Sequence, residues 1–343
     1  MSFYIAGILL LALPSCSKNV NASGTNGNHP STGDTTITTN PAAKYVVDTY
    51  AGGKITNSIS GPGPLCVDAT GVLYVSESNH NVVIKIDPLV QTIGFFSGSF
   101  DQPGCADDPF GSGNPSLTFP GNLWISSDQL IFIGDYGCGG VKVATTTGHS
   151  SAVQYNNPNN LDCGSSGGCR DFKGNIFMMD TYNGLFEVRY SDQILVNVLS
   201  GTDLGIASSM TMDASEHTVY LAAKHRIVEF SDGSLAPIAG DTLGNRDGIS
   251  GKAEFGGSMS ICMGGDGNIY VADTYNNSVR QVTPAGVVTT IAGDGKQGYI
   301  EGPGDKAEFD QPSGITFLAS GGNSFLYVSD FGNNVIRRIT LPK

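Results

Sequence analysis

Gly267-Asn268-Ile269-Tyr270-Val271-Ala272-Asp273-Thr274-Tyr275-Asn276-Asn277 decides the fold of this chain, because it is written again as Phe325-Leu326-Tyr327-Val328-Ser329-Asp330-Phe331-Gly332-Asn333-Asn334. Weaker copies reach the same marker position at Glu77, Asp135, Asp180 and Ala223, so the unit occurs six times, at intervals of 43 to 58 residues. That period fits four-stranded propeller blades and is too long for most helical repeats. The runs between markers alternate apolar and polar with period two, which predicts strands. No stretch sustains a 3.6-residue apolar period, so almost no helix is expected. The 47 glycines cluster between the runs, where tight turns need them.

In the fifth unit the alternation predicts strands over Met259–Met263, 268–272, 278–283 and Val287–Ala292. The sixth unit stops at Ile339-Thr340-Leu341-Pro342-Lys343 and has no fourth strand. The N-terminal side has one to spare: Tyr45-Val46-Val47-Asp48-Thr49-Tyr50-Ala51-Gly52-Gly53 matches Val287-Val288-Thr289-Thr290-Ile291-Ala292-Gly293. The expected fold class is therefore all-β. It is a six-bladed β-propeller of four-stranded blades, closed by an N-terminal strand that completes the last blade.

The pattern resembles the NHL repeat over residues 45–343. The loop Ala292-Gly293-Asp294-Gly295 through Gly298, Gly302, Ala307-Glu308-Phe309 and Pro312-Ser313-Gly314-Ile315 is very similar to that family, and residues 239–255 hold a second copy. Unit four departs from the pattern, with Ala223-Lys224-His225 in place of an acidic residue and Asn or Gly. The resemblance implies the fold. NHL propellers include ligand-binding modules, RNA-binding modules and a few enzymes, so it leaves the function open.

The expected organisation has three parts. Residues 1–16 read as a signal peptide, since the apolar run over 3–13 is too short to span a bilayer. Leu13-Pro14-Ser15-Cys16 resembles a bacterial lipobox, which implies lipid on Cys16. It departs from that pattern at Pro14 and in having no Lys or Arg before the apolar run. The competing reading is an ordinary signal peptide with Cys16 incidental. Residues 17–43 are almost free of large apolar groups and read as a flexible tether. Residues 44–343 are the propeller. The expected location is the bacterial cell envelope, periplasmic or at the surface, with the membrane touched only through the lipid anchor.

Cys66, Cys169 and Cys262 each lie five residues before the glycine that opens a second strand, and Trp124 takes that place in unit two. They are expected to be small buried hydrophobes. Cys105, Cys138 and Cys163 fall in loops of one face, where an exported protein forms disulfides. Cys138 is expected to pair with Cys105 or with Cys163. Zinc is a poor match, because no Cys-x-x-Cys pair exists. No cofactor is expected.

The chain holds 31 acidic and 18 basic residues, a formal charge of −13, which argues against nucleic-acid binding. Recurrent Asp135, Asp180, Asp273 and Asp330 are expected to be structural, accepting N–H groups of the turn that follows. His80 and His225 sit in matching turns on opposite sides of the ring, too far apart to share an ion unless long loops fold inward. No Gly-x-Ser-x-Gly elbow is present. The Gly-rich loop over 294–302 reads as a blade junction whose Phe309 folds onto the core, with Phe255 doing the same in the previous junction.

The candidate binding face is the set of second-to-third-strand turns, with Asn79, His80, Tyr136, Tyr182, Asn183, His225, Tyr275, Asn276, Phe331 and Asn333. Exposed rings beside amides suit a glycan, peptide or protein partner. The competing reading has Tyr275 and Phe331 plugging neighbouring blades. The residues favour a monomeric binding or scaffold module over the alternative, a metal-assisted hydrolase or lyase working in the central channel.

Overall fold

The computed structural model describes residues 41–52, 59–88, 92–108, 115–153, 167–180, 182–257 and 259–343. The leader, Cys16 and the tether up to residue 40 lie outside the described residues, as does Cys163. The period-two runs fold as six antiparallel sheets of four long strands each. Blade one is Leu65–Val67, Leu73–Glu77, Val82–Ile86 and Ile93–Gly98. Blade two is Pro120–Ile125, Ile131–Asp135, Gly140–Ala144 and Ser150–Ala152. Blade three is Gly167–Arg170, Ile176–Asp180, Gly184–Val188 and Leu195–Ser200. Blade four is Ala207–Met212, Val219–Ala223, Arg226–Ser231 and Ser234–Ala239. Blade five is Met259–Met263, Ile269–Asp273, Ser278–Val282 and Val287–Ala292. Blade six is Pro312–Ser320, Asn323–Asp330 and Val335–Thr340, with Val46–Gly52 as its fourth strand and the short Gly302–Pro303 beyond it. Among the described residues the one α-helical turn is Gly201–Leu204.

First strands of neighbouring blades touch one another all the way round, so they line the axis of a six-fold ring. In blade six, Val46–Gly52 runs antiparallel to Val335–Thr340, with Val47 opposite Ile339. Asp48 lies opposite Arg338, whose guanidinium grips its carboxylate.

There is no single core. Six apolar clusters lie one between each pair of neighbouring blades. Each sheet therefore has both faces covered, and the middle of its second strand is apolar on both faces rather than on one. Ile269 and Val271 face blade four, while Tyr270 and Ala272 face blade six. Cys66, Cys169 and Cys262 are buried on first strands, as expected. They stand opposite Tyr74, Phe177 and Tyr270, as Trp124 stands opposite Phe132. In three blades a small thiol on the axial strand thus faces a large ring on the next, while in blade two the Trp124 and Phe132 rings pack together at 5.3 Å.

Candidate functional site

The second-to-third turns are built alike. In blades one, two, five and six the strand ends on a carboxylate and a single 3-10 turn follows. A left-handed residue ends the turn: Asn81 at φ 58°, Gly139 at 67°, Asn277 at 48° and Asn334 at 56°. Asn tolerates that backbone region and keeps a side chain to use. The Oδ1 of Asn81 accepts the N–H of Phe119 at 3.1 Å, and that of Asn277 the N–H of Gln311 at 3.0 Å. Asn334 Oδ1 accepts the N–H of Gly61 at 2.7 Å. Each bond ties a turn to the connection entering the next blade. Hydroxyls add to two of these clasps: Ser78 Oγ donates to Pro120 O at 2.5 Å, and Thr274 Oγ1 to Pro312 O at 2.7 Å.

The structure divides the candidate face residues into two groups. Tyr136, Tyr182 and Tyr275 are 50%, 66% and 68% exposed, and none meets another ring among the described residues. Phe331 is 38% exposed, with its ring edge against Gly61. Tyr275 therefore stands out from the face instead of plugging a blade. Asn79 and Asn183 are exposed. His80 is held by Asp101 at 2.8 Å and stacks on Phe100 at 4.4 Å. His225 is half-buried against Gly257, and its Nδ1 finds no hydrogen-bond partner. Every blade thus offers one ring at its turn. Asn276 and Asn333 are used inside the fold. Asn276 Nδ2 donates to Gly244 O and Asp273 Oδ2, and Asn333 Nδ2 to Gly298 O and Asp330 Oδ2.

Beneath the turns lies a device that the repeat alone did not disclose. Arg280 and Arg337 are fully buried third-strand residues. Arg280 Nη1 donates to Asp273 Oδ2 at 3.0 Å and to Glu254 O, while Nη2 reaches Asp247. Arg337 Nη1 donates to Asp330 Oδ2 at 2.9 Å and to Glu308 O, and Nη2 to Ile300 O. The guanidinium planes lie near the rings of Phe255 and Phe309, both completely buried as expected. Burial pushes the Asp273 and Asp330 carboxyls up, and the Asn amide, a backbone N–H and the Arg offset it. These carboxylates mostly accept N–H groups from the preceding connection: Gly256 for Asp273, Asp310 for Asp330, Thr118 for Asp135. Asp180 bonds as expected, to the N–H groups of Tyr182 and Asn183, and Asp135 also takes the Cys138 N–H of the turn that follows it.

Blade two carries the same device with altered parts. Gly104 N–H donates to Leu117 O as Gly244 does to Phe255 O and Gly298 to Phe309 O, so the described parts of this connection, 102–108 and 115–120, repeat the junction-loop contact. Where Asn276 and Asn333 stand, blade two has Cys138. It is joined to Cys105 in a disulfide with Cα atoms 5.6 Å apart, and its sulfur lies 3.2 Å from Gly104 O. Lys142 replaces the Arg and turns away, donating to Cys105 O, Ala106 O and Asp107. Asp135 Oδ2 is left buried with no donor. Burial pushes the Asp135 carboxyl up to about 6, against the pull of the Thr118 N–H and Lys142.

A further concavity lies on the axis, away from this face. Second strands run antiparallel to first strands, so the turns lie where the first strands begin. Where the first strands end, the axis opens into a cavity of about 380 Å³ lined by every blade except the third. Trp124, Met212, Met263 and Phe317 form much of its wall, with Cys66 and Cys262 beside them. Burial pushes both thiols up, away from reactivity. Among the described residues no three His, Cys, Asp or Glu side chains gather as a metal-binding group.

No family model matches the chain. Among curated proteins, Suppressor of quenching 1, a chloroplastic protein of Arabidopsis thaliana, is 32% identical over 102 residues. That stretch is 29% of this chain and 9% of the longer protein. Among solved structures, an auxiliary nutrient binding protein from Bacteroides thetaiotaomicron superposes with a TM-score of 0.67 at 16% identity, covering 86% of this chain and 76% of that one. Its counterpart from Bacteroides ovatus gives 0.64 at 18%, covering 88% and 78%. Virginiamycin B lyase from Staphylococcus aureus gives 0.53 at 15%, covering 87% and 100%. The fold is a six-bladed propeller shared by binding proteins and by an enzyme. At these identities the likeness is one of fold alone.

Proposed function

We propose that this chain is an exported, lipid-anchored propeller of the NHL type that binds a glycan, peptide or protein partner on the face of its second-to-third turns. One observation carries the reading: each blade has a ring there, and Tyr136, Tyr182 and Tyr275 stand half or more exposed, stacked on no other ring among the described residues. Tyrosine offers flat apolar area at low entropic cost with a hydroxyl at its tip, which suits sugars and backbone amides. The Cys105–Cys138 disulfide belongs to an oxidising compartment and supports export. No helix among the described residues is long and apolar enough to cross a membrane. The test is glycan- and peptide-array binding by the parent and by Tyr136→Ala/Tyr182→Ala/Tyr275→Ala. Loss of the array signal with unchanged thermal stability supports the face; full retention refutes it. Lipid attachment is tested by Cys16→Ala, which moves the protein from the membrane to the soluble fraction.

A further inference from the structure

The channel is narrowed at the turn end by polar side chains that reach across it. Asn122 Nδ2 of blade two donates to Ser208 O of blade four at 3.0 Å, passing blade three. Blade three leaves room by opening its first strand with Gly167 and Gly168; a Cβ on Gly167 would sit 2.8 Å from the Asn122 Cβ. Ser208 Oγ continues the belt to Met259 O at 2.7 Å, and Ser209 Oγ accepts the Ile261 N–H at 3.2 Å. Asn122, Ser209 and Ile261 lie at or next to the start of the cavity lining on their strands, and Ser208 and Met259 lie one residue further out. The cavity is thus a pocket with a polar floor, opening at the end opposite the ring-bearing turns.

We propose that this pocket is a second binding site, for a small uncharged aromatic molecule. Its volume of about 380 Å³ falls in the range of small-ligand sites, roughly 300–1,000 Å³. Trp124 and Phe317 offer ring faces, and Met212 and Met263 offer adaptable thioethers that pack well on aromatic edges. First strands pair on one side only, so their inner edges leave backbone polar groups to orient a hydroxyl or amide. Asp213 and Glu216 stand at the mouth with carboxylate oxygens already accepting backbone N–H groups. Their charge, part of a net −13, disfavours an anion.

The chain has one tryptophan, and it lines the pocket. The experiment titrates the full chain, carrying Cys16→Ala so that no lipid competes, with neutral N-phenyl-1-naphthylamine. Energy transfer from Trp124 to the probe is read. The expected result is saturable, one-to-one transfer, weakened about tenfold by Phe317→Ala. A second variant, Met263→Glu at the half-buried rim, is expected to abolish it, with thermal melting showing both variants folded. Absence of transfer in the parent overturns the proposal. So does transfer untouched by Met263→Glu, or equal binding of the anionic dye 1-anilinonaphthalene-8-sulfonate. Loss of array binding in the tyrosine variants above leaves this titration unchanged, so the two sites fail separately.

Discussion

Asp135 should make the fold weaker as pH rises from about 4 to about 6, and replacing it should remove that loss. In blades five and six the matching Oδ2 accepts from an Asn amide and from an Arg. In blade two the amide has become a disulfide sulfur and the cation, Lys142, is spent on two carbonyls and Asp107. Burial, only partly offset by the Thr118 and Cys138 N–H groups and Lys142, raises the carboxyl from 3.8 to about 6 in the folded state. Below the unfolded value both states are protonated and nothing is lost. Between the two values the unfolded chain ionises first, so stability falls with rising pH. Above about 6 both are ionised and the loss is complete. A shift of roughly two units is worth about 3 kcal/mol. Urea unfolding followed by Trp124 emission, at about pH 4 and about pH 7.5, measures it. Asp135→Asn cannot titrate, so its stability difference between the two conditions should be smaller than the parent's by about 3 kcal/mol. Other carboxyls cancel in the comparison. Equal pH dependence in parent and variant, to within about 1 kcal/mol, would refute the assignment of an uncompensated buried oxygen.

Two further perturbations follow from the same junctions. The disulfide closes a span of 33 residues, so reduction should cost about 3–4 kcal/mol by loop entropy. Cys105→Ser/Cys138→Asn should recover part of that under reducing conditions, because the introduced amide can donate to Gly104 O and Asp135 as its counterparts do in blades five and six. Chemical denaturation with and without reductant reads both effects. Arg337→Met takes the cation from the fully buried Asp330 and one donor each from Ile300 O and Glu308 O. A loss of about 3–5 kcal/mol is expected, seen as a drop in thermal midpoint. A loss under about 1 kcal/mol would mean the pair is dispensable.

Blade number, strand positions and the burial of Phe255 and Phe309 were legible because both faces of each blade are covered. That condition forces apolar residues onto both faces in the middle of each second strand and makes the copies look alike. The predicted strands of unit five match the observed ones to within a residue. Arg280 and Arg337 were overlooked because a cation inside an alternating strand reads as a solvent-facing position. Only the spacing of each from the marker Asp, identical in the two best copies, could have paired them. The junction contact entering blade two was hidden because Leu117 and Ser116 stand where Phe and Glu mark the others. Asn276 and Asn333 read as face residues since an amide after a strand serves equally for capture or for internal ties. The axial cavity left no signal at all. Its wall comes from the ends of five separate strands, and nothing in a repeat says how wide the axis is.

The asparagine clasps have a consequence for how the ring moves. They join blade five to six, six to one and one to two, whereas the corresponding places in blades two and three hold Gly139 and Gly184, which have no side chain to reach across. To a deuterium-exchange experiment the ring is therefore an arc and a remainder. Backbone protons of the arc should exchange last and together, and those near blades three and four first. A hoop riveted along part of its circumference can breathe through the rest without coming apart.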